Sequence, residues 1–361
     1  MALALALGRR GLGRTWPNPA VGAVIVRRDG DAPLIVGRGW TQPGGRPHAE
    51  IEALRRAGEA ARGATLYVTL EPCSHHGKSP PCADAAIAAG VARVVSALED
   101  PNPEVAGAGH ARLRAAGVAV EVGVGIEEAR HDHAGHVRRM RDGRPHVALK
   151  LAISADGKVA AAGRRPVAIT GEAVRDRVHL MRAQSDAVMI GIGTALADDP
   201  LLTCRLPGME GSSPVRIVLD AGLRLPLGSR LVRSARETPV WLVAGGTASR
   251  DAERALAAEG VTVVRAADAD GLLDLASTLK LIAARGITRL MVEGGPTLAA
   301  TLLAADLIDE AVLFHSPKVV GADGIDALEG MRLAALTESP QLKCVVREAV
   351  GADTRTVFAR R

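Results

Sequence analysis

Short apolar runs alternate with amphipathic segments along the first third of the chain, and turn formers separate them. The apolar runs predict strands, and the amphipathic segments predict helices. The strands are expected at 21–26, 34–36, 64–70, 91–97 and 118–124, with a turn at 29–31 between the first two. The helices are expected at 1–7, 48–58, 82–90 and 110–116. This alternation is typical of a layered α/β domain.

A second series of elements opens with an apolar strand at 146–153. Its later strands are expected at 187–192, 215–219, 240–243, 261–264, 290–292 and 310–314, and segment 206–214 is expected to be a surface loop. The polar stretch 138–145 contains turn formers, which favours a linker. We therefore predict two domains, 1–143 and 144–361.

The composition fits two globular domains. Of the 361 residues, 47% are hydrophobic and 24% are charged, which excludes a disordered chain. No apolar run approaches the roughly 20 residues that cross a bilayer. The apolar start is followed by Arg9 and Arg10, whereas a signal peptide has its charges first. Four cysteines are too few for a disulfide framework and favour a cytoplasmic location.

The net charge of +5 favours an anionic partner. Aromatic residues make up only 2% of the chain, so platforms for stacking nucleic acid bases are scarce. No segment concentrates lysine and arginine. A small phosphorylated molecule is therefore the expected partner, with no nucleic acid and no membrane.

The strongest chemical signal is a set of metal-ligand residues, His48, Cys73 and Cys82, with Glu50 close to the first of them. One imidazole and two thiolates suit tetrahedral zinc, and three protein ligands leave the fourth position open for water. Zinc lowers the pKa of such a water toward about 7, and Glu50 can move its proton to a leaving amine. A His-x-Glu, Pro-Cys and Cys order is typical of zinc deaminases of bases.

Two other interpretations of this set stay open. His75 or His76 could supply a fourth ligand and close a structural, non-catalytic zinc site. A deaminase of nucleic acids would use the same zinc chemistry on a flipped base. The segment between Cys73 and Cys82 carries two histidines and a lysine, which could contact a phosphate or ribose group of the substrate.

Segments 15–22, 44–50, 70–82 and 100–103 resemble the deaminase half of the RibD family, the bifunctional riboflavin biosynthesis proteins. The resemblance implies a three-layer, cytidine-deaminase-like domain that removes an amine from a diaminopyrimidinone ribosylamino phosphate. It implies His48, Cys73 and Cys82 as zinc ligands, Glu50 as the catalytic proton shuttle and Asn18 as a substrate-binding residue. It also suggests that the chain begins within the family's first helix.

Two strands in the second half run into glycine-containing turns, at 187–194 and at 290–297. Backbone amides at such turns can bind phosphate, and a plain tight turn is the alternative at either place. Lys150, Arg182 and Arg205 could bind a second phosphate, and a solvated charge is the alternative for each of them taken singly.

Segments 182–185, 193–205 and 293–297 resemble the reductase half of the same family. The resemblance implies a dihydrofolate-reductase-like α/β domain that uses NADPH to reduce the ribosyl chain to ribityl. The implied NADPH-binding residues are Ala152, Thr194, Asp198, Gly295, Pro296, Thr297, Leu298, Ala299, Ala300 and Thr301. The implied substrate-binding residues are Arg182, Leu201, Arg205 and Glu293.

One segment departs from the family pattern. The family often has Ser-x-Trp where this chain has Pro166, Val167 and Ala168, so a hydroxyl and an indole are missing. The alternative to a bifunctional enzyme is therefore a deaminase with a degenerate reductase domain. The resemblance also implies a homo-oligomer. A second histidine-rich segment, 131–136, is expected to be a solvated helix or linker rather than a metal site.

Overall fold

The computed structural model describes residues 1–28, 32–75, 80–269 and 271–361. Its contacts divide the chain into two compact units, Met1–Arg144 and Pro145–Arg361. Within the described ranges, every helix is too short or too polar to cross a bilayer. The turn expected at 29–31 lies outside the described residues.

The first unit contains one sheet with helices packed on it. The described strands are β1 (Gly22–Arg28), β2 (Pro33–Trp40), β3 (Thr65–Val68), β4 (Arg93–Ser96) and β5 (Ala119–Val122). The described α-helices are α1 (Ala2–Gly8), α2 (Ala49–Ala57), α3 (Cys82–Ala88), α4 (Ala108–Ala115), α5 (Ile126–Asp132) and α6 (Ala134–Asp142). Short 3-10 turns lie at Arg9–Gly11, Pro43–Gly45 and Gly58–Ala61.

The strand order in this sheet is β2-β1-β3-β4-β5. Strand β1 pairs antiparallel with β2 and β3, whereas β3, β4 and β5 run parallel. Every strand expected for this half is present, and each expected helix is found within a few residues of its predicted bounds. The parallel arrangement brings the carboxyl ends of β3 and β4 to the same edge, and the segment that carries Cys73 leaves β3 there.

Both faces of the sheet are covered, as the alternation along β1 shows. Ala23 and Ile25 pack in a buried cluster with residues of α2, α3 and α4. Val24 packs with Ala4 and Leu7 of α1. Because successive side chains of a strand point to opposite faces, these clusters lie on opposite sides. The unit is therefore built of three layers, as expected.

The second unit is built on a larger sheet. The described strands are β6 (His146–Ile153), β7 (Lys158–Ala160), β8 (Ala187–Gly191), β9 (Val215–Leu219), β10 (Val240–Ala244), β11 (Thr262–Arg265), β12 (Asp268–Ala269), β13 (Leu272–Leu273), β14 (Arg289–Val292), β15 (Glu310–His315), β16 (Ile325–Asp326), β17 (Leu342–Val350) and β18 (Asp353–Arg360). The described α-helices are α7 (Glu172–Ala183), α8 (Ile192–Asp198), α9 (Arg230–Arg233), α10 (Arg250–Ala258), α11 (Leu275–Ala284), α12 (Pro296–Ala304) and α13 (Ala334–Thr337). Short 3-10 turns lie at Ala162–Arg164 and Glu210–Ser212.

Nine strands form the main sheet in the order β11-β10-β9-β8-β14-β6-β15-β18-β17. The strands from β11 to β15 run parallel, and the last two are antiparallel. The central strands are apolar along most of their length, which is typical of a parallel sheet covered on both faces. Each strand expected for this half is found, and the antiparallel hairpin of β17 and β18 is an element that the sequence pattern missed.

The histidine-rich segment 131–136 is helical, as expected, but the expectation that it is solvated was wrong for two of its three histidines. It spans the junction of α5 and α6, where His133 and His136 are buried. His136 Nε2 lies 2.8 Å from Asp100 Oδ1, and His133 Nε2 lies 3.1 Å from the Thr69 hydroxyl. These polar partners allow the imidazoles to be buried.

Arg216 of β9 is fully buried and holds the sheet to its connecting segments. Its guanidinium donates to the carbonyls of Leu201, Ser234 and Thr238 and to the Ser234 hydroxyl. Burial lowers the pKa of Arg216 to about 10. The side chain therefore joins two connecting segments to β9, the one that contains Leu201 and the one that contains Ser234 and Thr238.

We predict that Arg216→Met lowers the free energy of unfolding of this unit by about 3 kcal/mol, because buried carbonyls lose their donor. Urea unfolding followed by circular dichroism measures the change. Arg233→Met, at an exposed position of α9, is the matched control and should leave the midpoint unchanged. Equal midpoints for the two variants would contradict the role given to Arg216.

Candidate active sites

The three expected metal ligands come together at the start of two helices in the first unit. His48 is the N-cap residue of α2, and Cys82 is the first residue of α3. Cys73 lies in the segment that follows β3. The amide of Cys82 donates to the sulfur of Cys73 over 3.3 Å. Amides in the first turn of a helix have no partner within the helix, so this contact satisfies one of them.

The distances between the ligand atoms fit zinc. His48 Nδ1 lies 3.7 Å from Cys73 Sγ and 3.3 Å from Cys82 Sγ. All three ligand atoms lie within 4.8 Å of one another. Tetrahedral bonds of about 2.3 Å to sulfur and 2.0 Å to nitrogen separate such atoms by about 3.5 Å. The donor set and its spacing therefore suit a zinc ion bound by one imidazole and two thiolates.

The protonation of the cluster is also suited to a cation. The hydrogen bond from the Cys82 thiol lowers the pKa of Cys73 to about 4, and His48 contributes in the same direction. The same hydrogen bond raises the pKa of Cys82. The hydrogen bond with Cys73 raises the pKa of His48. The Cys73 thiolate therefore favours protonation of its two neighbours, Cys82 and His48. A metal ion that binds the cluster can displace these protons.

Glu50 lies beside this cluster on the first turn of α2. Its side chain is 3% exposed, and burial raises the pKa of its carboxyl group. It also hydrogen-bonds the side chain of Cys82. A buried carboxyl group with a raised pKa can both accept and donate a proton near neutral pH, which is what proton transfer requires.

The remaining residues expected at this site are His75, His76, Lys78 and Asn18. His75 is exposed and is not among the clustered ligands of the described chain. His76 and Lys78 lie outside the described residues. The Asn18 amide donates to the carbonyl of Gly45 over 2.8 Å, which joins its turn to the segment leading into His48. Asn18 therefore helps to fix the entry to α2.

The second unit contains a cavity of about 840 Å³. Ligand-binding cavities of proteins usually measure roughly 300–1,000 Å³, so its size suits a large ligand. Most of the residues that the family resemblance implies for NADPH and substrate line this cavity. These lining residues are Ala152, Arg182, Thr194, Asp198, Arg205, Glu293, Gly295, Pro296, Thr297, Leu298 and Thr301.

A charged group lies on the cavity wall. The guanidinium of Arg182 donates from Nη2 to Glu293 Oε2 over 2.8 Å and from Nε to the other carboxylate oxygen. Although burial opposes it, the pKa of Glu293 is lowered, because Arg182 and Lys150 lie near. Burial lowers the pKa of Lys150. Glu293 is therefore a carboxylate paired with the Arg182 guanidinium, with the Lys150 side chain near it.

The turn before α12 is shaped for close approach of a phosphate. Gly294 and Gly295 both have φ of +77°, and Pro296 is the first helical residue. A Cβ atom on Gly295 would lie 3.0 Å from the Thr194 hydroxyl, which stands on α8. A side chain at Gly295 would thus fill the gap between the two helix starts. Helix N-termini bind anions, so the two turns suit the diphosphate of a dinucleotide cofactor.

Three of the implied residues do not line the cavity. Ala299 and Ala300 are buried within α12, and Leu201 offers its carbonyl to Arg216. Arg175 and His179 line the cavity without having been expected there. They precede Arg182 on α7 by seven and three residues, so the helical period was the signal that could have identified them.

The segment that departs from the family pattern also borders the cavity. Pro166, Val167 and Ala168 line it and are exposed. The carbonyl of Ala168 accepts from Lys318 Nζ over 2.8 Å. These three residues therefore form this part of the cavity wall. They give it an apolar surface where the family often has the hydroxyl and indole of Ser-x-Trp.

Models of two protein families match the chain. Residues 145–356 match the RibD C-terminal domain, and residues 1–98 match the cytidine and deoxycytidylate deaminase zinc-binding region. The riboflavin biosynthesis protein RibD of Escherichia coli (strain K12) is 44% identical over 366 residues. That match covers 98% of this chain and 96% of the Escherichia coli protein.

Solved structures are similar over the full length. Acinetobacter baumannii RibD, form 1, superposes with a TM-score of 0.87 and 35% identity, covering 100% of this chain and 97% of that one. A Thermotoga maritima protein superposes with a TM-score of 0.84 and 34% identity, with the same coverage. That protein is described as a diaminohydroxyphosphoribosylaminopyrimidine deaminase/5-amino-6-(5-phosphoribosylamino)uracil reductase.

We predict that Cys82→Ser abolishes zinc retention, because the cluster loses one of its two sulfur ligands. Metal analysis after dialysis against a chelator measures the zinc bound per chain. Cys344→Ser removes an exposed cysteine outside the cluster and should retain the wild-type zinc content. Zinc retained by Cys82→Ser at the control level would contradict this ligand assignment.

Proposed function

Since the chain belongs to the RibD family of bifunctional riboflavin biosynthesis enzymes, we propose that each of its two units carries one of the two activities. The deaminase occupies Met1–Arg144, and the reductase occupies Pro145–Arg361. The observation that carries this division is that a His–Cys–Cys cluster with a buried glutamate lies in the first unit, and that a cavity of about 840 Å³ lined by most of the residues implied for NADPH lies in the second.

The first reaction is the hydrolytic deamination of the 2,5-diamino-6-ribosylamino-pyrimidinone 5′-phosphate. His48, Cys73 and Cys82 hold the zinc ion, which supplies a Lewis acid that activates water at neutral pH. Glu50 accepts a proton from the attacking water and delivers it to the departing amine, which leaves as ammonia. Asn18 orients the base from the turn that it joins to the start of α2.

The second reaction reduces the ribosyl chain of the deaminated product to ribityl. The turn at Gly295, the start of α12, Thr194, Asp198 and Ala152 hold NADPH, which supplies the hydride. Arg182 and Glu293 orient the ring-opened sugar at the wall of the cavity. Arg205 lies close enough to Arg182 for their charges to repel, which lowers the pKa of Arg205 further than burial alone. A bound phosphate between them relieves this repulsion.

The two activities are tested together on the diaminopyrimidinone ribosylamino phosphate, with ammonia release and NADPH consumption followed in the same sample. We expect both signals from zinc-loaded protein. Ammonia release without NADPH consumption would indicate a degenerate reductase domain. Absence of both signals would reject this substrate and revive the interpretation as a deaminase of nucleic acid bases.

A cytoplasmic location and a homo-oligomeric state belong to the same proposal. All four cysteines are free, which agrees with a reducing compartment. Family membership supports the homo-oligomer, and a monomeric mass by light scattering would reject it.

We predict that Glu50→Gln lowers the rate of ammonia release roughly 10²–10⁴-fold, because an amide cannot relay the proton. The variant should still bind zinc, since Glu50 is not a ligand. NADPH consumption on the deaminated substrate serves as the internal control and should match the wild-type rate. Wild-type ammonia release by Glu50→Gln would exclude the proton-shuttle role.

We predict that Glu293→Gln lowers kcat/KM of the reductase about 10- to 100-fold, as expected for loss of a charged hydrogen bond worth roughly 1.5–3 kcal/mol. NADPH oxidation with the deaminated substrate measures the effect. Ammonia release should be unchanged. Glu210→Gln on the exposed loop is the matched control, and a comparable loss in that variant would argue against a specific role for Glu293.

A further inference from the structure

Helix α4 packs directly behind the segment that carries Cys73. A Cβ atom on Gly109 would lie 2.0 Å from the carbonyl oxygen of Pro72, so only glycine permits this approach. The Glu71 carboxylate accepts the amides of Gly107 and His110 over 3.0 and 3.1 Å. The side chain of Glu71 is 0% exposed. The start of α4 is therefore fixed to the chain two residues before Cys73.

Arg112 extends from this helix to both cysteine-bearing segments. Its Nη1 donates to the carbonyl oxygen of Ser74 over 3.0 Å. Its Nε lies 2.6 Å from Asp84 Oδ1. Ser74 follows Cys73 directly, and Asp84 lies on α3 two residues after Cys82. One guanidinium thus bridges the backbone beside the first sulfur ligand and the helix that carries the second.

The chemistry of the guanidinium suits this bridging contact. It is planar and always charged, and its donors point in fixed directions. A carbonyl and a carboxylate that bind its separate nitrogens are therefore held at a defined separation. Because Gly109 and Glu71 fix the helix that carries Arg112, the bridge is anchored and does not simply follow the two segments.

Ordinary surface pairing does not account for the position of this contact. The side chain of Arg112 is 43% exposed and that of Asp84 is 32% exposed. Exposed ion pairs contribute little to folding stability. The contact joins the two segments that must keep their sulfurs at a set distance, so its effect should fall on the metal site more than on the fold.

We propose that Arg112 is a positioning residue of the deaminase, which sets the separation of Cys73 and Cys82 by bridging Ser74 and Asp84. This inference rests on the proposed zinc-dependent deaminase. Groups that orient metal ligands without touching the metal typically change metal affinity 10- to 100-fold when they are removed. Arg112 belongs to this class through two contacts, and it does not contact the reacting atoms.

The test compares Arg112→Ala, Arg112→Lys and Asp84→Asn with the wild-type chain. Arg114→Ala is the matched control, since Arg114 is an exposed arginine on the same helix. Zinc affinity is measured by competition with a chromogenic chelator. The cobalt-substituted proteins are compared by the visible absorption that reports ligand geometry at a site with two sulfurs. Ammonia release is analysed as kcat and KM, and thermal unfolding is recorded for each variant.

We expect Arg112→Ala to weaken zinc binding roughly tenfold or more, to shift the cobalt absorption and to lower kcat with little change in KM. Arg112→Lys and Asp84→Asn should change zinc affinity, cobalt absorption and kcat in the same direction but by less, because each keeps part of the bridge. Arg114→Ala should match the wild type, and NADPH consumption on the deaminated substrate should be unchanged in every variant.

Zinc affinity and cobalt absorption of Arg112→Ala at wild-type values would overturn the proposal. A lowered melting temperature in Arg112→Ala, with unchanged zinc binding in the milder Asp84→Asn, would assign a structural role and overturn it as well. Failure of the proposed function has a different signature. It would appear in the wild-type chain itself, as no zinc bound and no ammonia released, and the inference would fall with it.

Discussion

The metal-ligand cluster depends on the hydrogen bond that the Cys82 amide donates to the Cys73 sulfur. The first amides of a helix lack intrahelical partners and carry partial positive charge, so they favour an anionic sulfur at that place. His48 occupies the corresponding cap position of α2. The three ligand atoms converge because two helices begin at the same edge of the sheet, and Glu50 is buried beside them by the first turn of one of these helices.

The partial positive charge at helix starts also shapes the second unit, where the expected anion is a phosphate instead of a thiolate. Here α8 and α12 begin where parallel strands β8 and β14 end, and no cysteine is placed at either start. Gly295 keeps the space in front of Thr194 open, and the first residues of both helices line a cavity. A phosphate can occupy that space. One structural principle therefore serves a metal site in one unit and a cofactor site in the other.

The sequence predicted what a local pattern or a known ligand motif marks. The strands follow from apolar runs, whereas His48, Glu50 and the two cysteines were identified by residue types typical of a zinc site, although His48 lies 25 and 34 residues from the cysteines. The burial of His133 and His136 could not be predicted, because their partners Thr69 and Asp100 lie 64 and 36 residues away. The β17–β18 hairpin was missed for a related reason. Much of β17 is exposed or half-exposed, so no apolar run marks it as a strand.

The charges in the cavity explain why its ligand should be phosphorylated. Burial disfavours the protonated form of Lys150 and lowers its pKa, and Arg182 adds to this effect. The pKa of Arg205 is lowered by burial and again by Arg182. Glu293 is a single carboxylate paired with Arg182, so it balances one of these positive charges. A phosphate on the proposed substrate would offset the remainder. In the proposed reaction sequence the deaminase leaves this phosphate untouched, so its product carries a charge that suits the cavity of the second unit.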